Sequence, residues 1–222
     1  MRSMTTFLIA AGLTLAYVIL RIFLRGGLRV SLGRGQRLGS SPGQLARANA
    51  RMAATTDAIQ LVASDRPFTK PASAQLIEEL KAARFEDAGA FAVTPMRDVY
   101  VKLLVSPPES ISANVYDHRV AGVWLELVTR YADGSTFSVS NREASGLAPL
   151  ARHREEHIPG ARAADLVARM RATRPQGEVI PVTAPDAARM FEQGYQTAMA
   201  ERKGQSLTAA EINRVHRPMK RG

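Results

Sequence analysis

Residues Phe7 to Leu24 form an eighteen-residue stretch whose side chains are nearly all apolar, and all eight charges among the first 56 residues are arginines. At about 1.5 Å of rise per residue such a stretch reaches roughly 27 Å as a helix, close to the ~30 Å hydrocarbon core of a bilayer. The sequence therefore predicts a single transmembrane helix within residues 1–25. The Arg21-Ile22-Phe23-Leu24-Arg25 segment lacks the small residues of a leader cleavage site, and the stretch up to Leu20 has no polar face that would hold it flat on a surface. Arg2 precedes the span, whereas Arg21, Arg25, Arg29, Arg34 and Arg37 follow it with no acid before Asp57. Basic flanks stay on the cytoplasmic side, which predicts a bacterial inner-membrane protein with its large C-terminal part in the cytoplasm. The same five arginines are the candidate contacts to anionic lipid headgroups.

Charge distribution limits the choice of partner. The net charge is +10, but residues 57–222 hold 22 basic against 20 acidic residues, so the folded part is almost neutral and a nucleic-acid interface is not expected. Zero cysteines remove disulfides and thiolate metal sites from consideration.

Residues 26–41, rich in Gly, Ser and Arg, read as a basic linker. Ser41-Pro42-Gly43-Gln44 carries the start signals of an amphipathic helix over 42–66, with Leu45, Ala48, Met52, Thr55, Ile59 and Val62 at heptad spacing. That stripe packs on its own domain or mediates homo-oligomerisation. A soluble α+β domain is expected over 67–217, ahead of a basic tail at 218–222. Its first helix starts at a Ser73 cap and stops near Gly89. Alternation around Val99–Val105, Ile111–Val115, Val123–Leu127 and Phe137–Val139, with Asp133-Gly134 as a hairpin turn, predicts a four-stranded antiparallel meander. Helices are expected at Arg162–Thr173 and Pro185–Arg202, and Thr208-x-x-Glu211 reads as a capping box for a last short one. The fold class is α+β, with N- and C-terminal helices covering one face of the sheet.

Period-two alternation places Trp124, Glu126 and Arg130 on one side of their strand, and Tyr100 and Lys102 are expected on that side of the sheet too. An aromatic mixed with fixed charges is the composition of a protein interface, and the Thr136, Ser138, Ser140 strand is expected as an exposed edge. The function that follows is a membrane-held scaffold or adaptor acting through contact with another protein, with no cofactor and no catalytic residue. An anionic-lipid surface module is one alternative. A second rests on His153-Arg154-Glu155-Glu156-His157, which resembles over five residues the H-x-x-E-H pattern of the inverted zincin metallopeptidases. That resemblance implies a zinc-dependent hydrolase in which His153 and His157, on one helical face, hold the metal and Glu156 activates its water. His118 in the Asp117-His118-Arg119 turn is a further acid/base candidate.

Overall fold

The computed structural model describes residues 42–215, apart from positions 67, 69, 97 and 120. The expected transmembrane stretch, the basic linker, the five candidate headgroup arginines and the basic tail lie outside the described residues, and no helix among those described is long and apolar enough to cross a membrane.

The chain runs α1 (Pro42–Ala54), β1 (Gln60–Ala63), α2 (Pro71–Ala82), β2 (Glu86–Thr94), β3 (Val99–Ser106), a 3-10 turn (Pro107–Glu109), β4 (Ile111–His118), β5 (Gly122–Arg130), β6 (Thr136–Ser140), β7 (His153–His157), α3 (Ala163–Thr173), α4 (Ala187–Lys203) and α5 (Ala209–Val215). The strands form one seven-stranded sheet in sequence order. Every neighbouring pair is antiparallel except β6 and β7, which are parallel. A parallel pair needs a crossover of about a dozen residues, and residues 141–152 supply it.

This corrects the expected four-stranded meander: the strands at 97–141 are the middle of a larger mixed sheet. The three strands missed each lack a clean signal. Strand β1 sits inside the predicted 42–66 helix, which ends at Ala54, where Thr55-Thr56-Asp57 brings three poor helix formers together. Strand β2 is diluted by Ala and Gly and bulged between Asp87 and Gly89, so Gly89 (φ 112°) serves a bulge within a strand and is no helix stop. Strand β7 carries no apolar side chain at all. Nor does Ser73 cap α2. It lies in the first turn, its hydroxyl donating to the Lys70 carbonyl at 2.8 Å.

Helices cover both faces, not one. On the first face Ala48 and Met52 of α1, Met190, Phe191, Tyr195 and Met199 of α4, and Ile212 of α5 pack on Val99, Val101, Leu103 and Val105 of β3 and on Tyr116 and Trp124. On the second, Leu76, Ile77 and Leu80 of α2 and Leu166, Val167 and Met170 of α3 pack on Leu104, Ala113, Val115, Leu125, Leu127, Phe137 and Val139. A sheet covered on both sides shows near-continuous apolar runs, as Leu103-Leu104-Val105 does. The α5 capping box forms: Glu211 Oε2 accepts from the Thr208 N–H at 2.8 Å, and Thr208 Oγ1 from the Glu211 N–H at 3.2 Å.

Candidate functional site: a polar quadrant beneath α4

Strand register builds the site. On the first face Asn114 stands opposite Glu126, Glu126 opposite Ser140, and Ser140 opposite His157. On one side of that row lie Ser112, Val128, Ser138 and Glu155, then Arg130, Thr136 and His153; on the other, Tyr116 pairs with Trp124. The β3 end of the face is aliphatic, whereas the β4–β7 end is a polar quadrant. It is not exposed: Glu126 is 0% accessible, Asn114 and Ser138 1%, and Arg130 3%.

Helix α4 lies over it, held at one point by Arg130, whose Nη2 donates to the Met190 carbonyl at 2.9 Å. Near the helix end Arg202 Nη2 donates to the Ala148 carbonyl at 2.6 Å and sits 3.9 Å from Glu211. The 141–152 crossover closes the remaining side. Glu211 Oε1 accepts from the Ala148 N–H, Glu201 Oε1 from the Ala151 N–H (both 2.8 Å), and Arg214 Nε donates to the Gly146 carbonyl at 2.7 Å. Leu150 is buried and Leu147 packs on the first-face core, but the backbone between and around them is held by these side chains of α4 and α5.

Burial governs the titrations. His153, under α4, has one ring nitrogen on Thr136 Oγ1 and the other 3.3 Å from Ser138 Oγ, and burial pushes its pKa down to about 4. It is therefore a neutral imidazole at pH 7. Four residues on, His157 is only half-buried. Burial would lower its pKa, but the Glu155 carboxylate and the Arg142 carbonyl, which accepts from Nδ1 at 3.1 Å, raise it above the ordinary value. Burial would likewise raise Glu155, yet His157, His153 and Arg202 carry it below the usual carboxylate range. His157 Nε2 and Glu155 Oε2 are 3.3 Å apart, an ion-pair contact outside hydrogen-bonding alignment. Burial also lowers Arg130 to about 10 against the opposing pull of Glu126, and it drives the Tyr116 phenol well up, helped by Glu126, on which its hydroxyl donates at 3.2 Å.

The predicted docking face is corrected in two ways. Trp124, Glu126 and Arg130 do share a face, but α4 buries it. Tyr100 and Lys102 are on the opposite face, paired in register with Asp117 and Val115; there Arg66 stacks over Tyr100 at 4.0 Å and Lys102 pairs with Asp87 at 2.6 Å. The Thr136, Ser138, Ser140 strand is interior rather than an edge, because β7 pairs beyond it.

The H-x-x-E-H stretch is a strand, not a helix. Alternation sends His153, Glu155 and His157 beneath α4 and Glu156 to the other face, where it accepts from Arg169 Nε at 2.7 Å. Among the described residues no cluster of three or more His, Asp or Glu side chains is arranged to hold a metal. Asp117 and His118 also diverge. Asp117 pairs with Lys70, while His118 Nδ1 accepts from the Ala121 N–H at 2.8 Å.

Sequence reasoning missed Asn114, Tyr116, Arg142, Glu155 and Arg202 as site residues, and took Ser138 and Ser140 for an edge. The available signal was the inward register of β4, which alternates Ser112, Asn114 and Tyr116 with Ala113 and Val115. No family model matches the chain, and neither a curated protein nor a solved structure shows significant similarity to it.

Proposed function

We propose that this domain is a binding module for a small polar molecule, received between the β4–β7 quadrant and α4 behind the 141–152 strap. One observation carries the reading: carboxylates, guanidinium groups and imidazoles are concentrated on one part of a sheet face whose remainder is aliphatic. Burying ions costs several kcal/mol each before compensation, and apolar replacements in such places are often neutral or stabilising. A ligand that uses these groups accounts for their retention, and few convergent polar groups in an apolar surround are the usual make-up of such a site.

Native mass spectrometry of the full chain tests it. The wild type should carry an added noncovalent mass that denaturation removes, and Glu155→Gln should reduce its occupancy. If native and denatured masses agree, and no compound of a broad metabolite panel raises the melting temperature, the proposal fails.

Contact with another protein is the second reading, favoured by β7, an outer strand hydrogen-bonded only to β6. An extended peptide would add beside it. A photocrosslinker at Arg154, whose side chain is 63% exposed, should then capture one discrete partner; an adduct-free result retires the idea.

A further inference from the structure

One corner of the quadrant is lined by hydrogen-bond donors. Trp124 stacks on Tyr116 with ring centroids 4.6 Å apart, and the Arg142 guanidinium carbon lies 4.6 Å over the Trp124 ring. Arg142 leads on to His157 through its carbonyl, and His157 to Glu155. Within this corner the Trp124 indole N–H is buried and has no partner, in a residue only 2% accessible. An indole nitrogen can only donate, and a buried unsatisfied donor costs about 1–3 kcal/mol. The Arg130 Nε is a donor in the same condition. The unmatched groups on this face are thus donors, and what they lack is an acceptor.

The surrounding charge defines the acceptor further. Arg142, Arg202 and, once protonated, His157 bring positive charge toward the strap end, against Glu155 and the Glu211 that lies 3.9 Å from Arg202. The carboxylate of Glu126 is engaged by the Tyr116 hydroxyl on the inner side. We infer that the corner between Trp124, Arg142 and His157 takes a compact oxyanion, a carboxylate or phosphate group, with the Trp124 N–H and the His157 Nε2–H donating to its oxygens. This inference rests on the small-molecule reading above and names the chemistry of that ligand.

Trp124 is the sole tryptophan of the chain, so its emission reports on the corner directly. The full chain is titrated with acetate, inorganic phosphate and, as a neutral isostere, acetamide. A saturable change in emission with acetate or phosphate but not acetamide is expected, stronger at pH 6 than at pH 8 because His157 is then charged. Whichever of the two anions saturates tells a carboxylate from a phosphate ligand. Trp124→Phe keeps the ring stack and removes the donor; thermal-shift titration should show its apparent affinity for that anion reduced about tenfold, and His157→Gln should abolish the difference between pH 6 and pH 8. Equal saturation by acetate and acetamide would overturn the oxyanion assignment while leaving small-molecule binding standing. A linear, unsaturable response to all three, with no added mass in the native spectrum, would overturn both.

Discussion

His153 shows how a single residue sets the pH limits of this fold. Its ring is enclosed by Thr136 and Ser138 and is 5% accessible. A pKa of about 4 in the folded chain against 6.5 as the reference means that the unfolded chain takes up the proton first as pH falls. Stability from this residue is complete above pH 6.5 and is lost between 6.5 and 4, by roughly 3 kcal/mol in full, since one pKa unit corresponds to about 1.4 kcal/mol. His157 has the opposite sign. Its raised pKa gives stability that is present below 6.5 and lost as pH climbs through the folded value. Because the two slopes oppose one another, residue-resolved imidazole NMR is the measurement of choice: His153 should stay neutral down to about pH 4 while His157 is already charged at 6.5. Titration of His153 near 6.5 would contradict its enclosure. The sequence offered both histidines and their four-residue spacing, but that spacing suits one face of a helix and one face of a strand equally. With no apolar residue in His153–His157 to reveal the period, only the pairing with β6 decides, and it exchanges Glu156 for Glu155 as the neighbour of both rings.

At the scale of elements, strand alternation was the most legible property and covering was the least. Trp124, Glu126 and Arg130 were correctly placed together because a period of two depends only on local backbone geometry. Their burial depends on α4, which begins at Ala187 and packs there through Met190 and Phe191, a contact no window around β5 contains. The 141–152 strap depends on distant groups in the same way. Its backbone is held by Glu201, Arg202, Glu211 and Arg214, around the anchoring Leu147 and Leu150. Glu211→Ala should therefore loosen two elements at once, since it removes both the α5 capping partner and the acceptor for Ala148. The expected cost is about 2 kcal/mol, taking roughly 1 for the cap and a similar amount for the strap hydrogen bond. Hydrogen exchange should accelerate at residues 146–152 and 208–212 while β2 and β3 stay protected. Acceleration spread evenly over the sheet would show that the strap is not separately fastened.

For the molecule as a whole, the central sheet is shared by two cores, and this determines how it unfolds. Strand β3 feeds both, with Val101, Leu103 and Val105 directed to α1, α4 and α5 and Leu104 to the side of α2 and α3. Neither core can open without exposing the back of the strands that line the other, which makes a single cooperative transition the expected behaviour despite the near-symmetrical layering. Leu80 and Phe191 lie on opposite sides of the sheet, each at most 1% accessible. Leu80→Ala should cost about 3 kcal/mol and Phe191→Ala about 4, with each value containing a transfer part and a cavity part. Because the two side chains belong to different clusters and share no partner, their effects should add to within about 0.5 kcal/mol in the double variant. Chemical denaturation followed by Trp124 fluorescence and by far-ultraviolet circular dichroism measures both properties. Trp124 belongs to the α4 core, whereas dichroism averages over all elements, so coincident midpoints in the Leu80→Ala variant would mean that damage beside α2 is felt beside α4. If instead the dichroism of Leu80→Ala falls at a lower denaturant concentration than its fluorescence, the α2–α3 layer unfolds independently and the sheet does not couple the two cores.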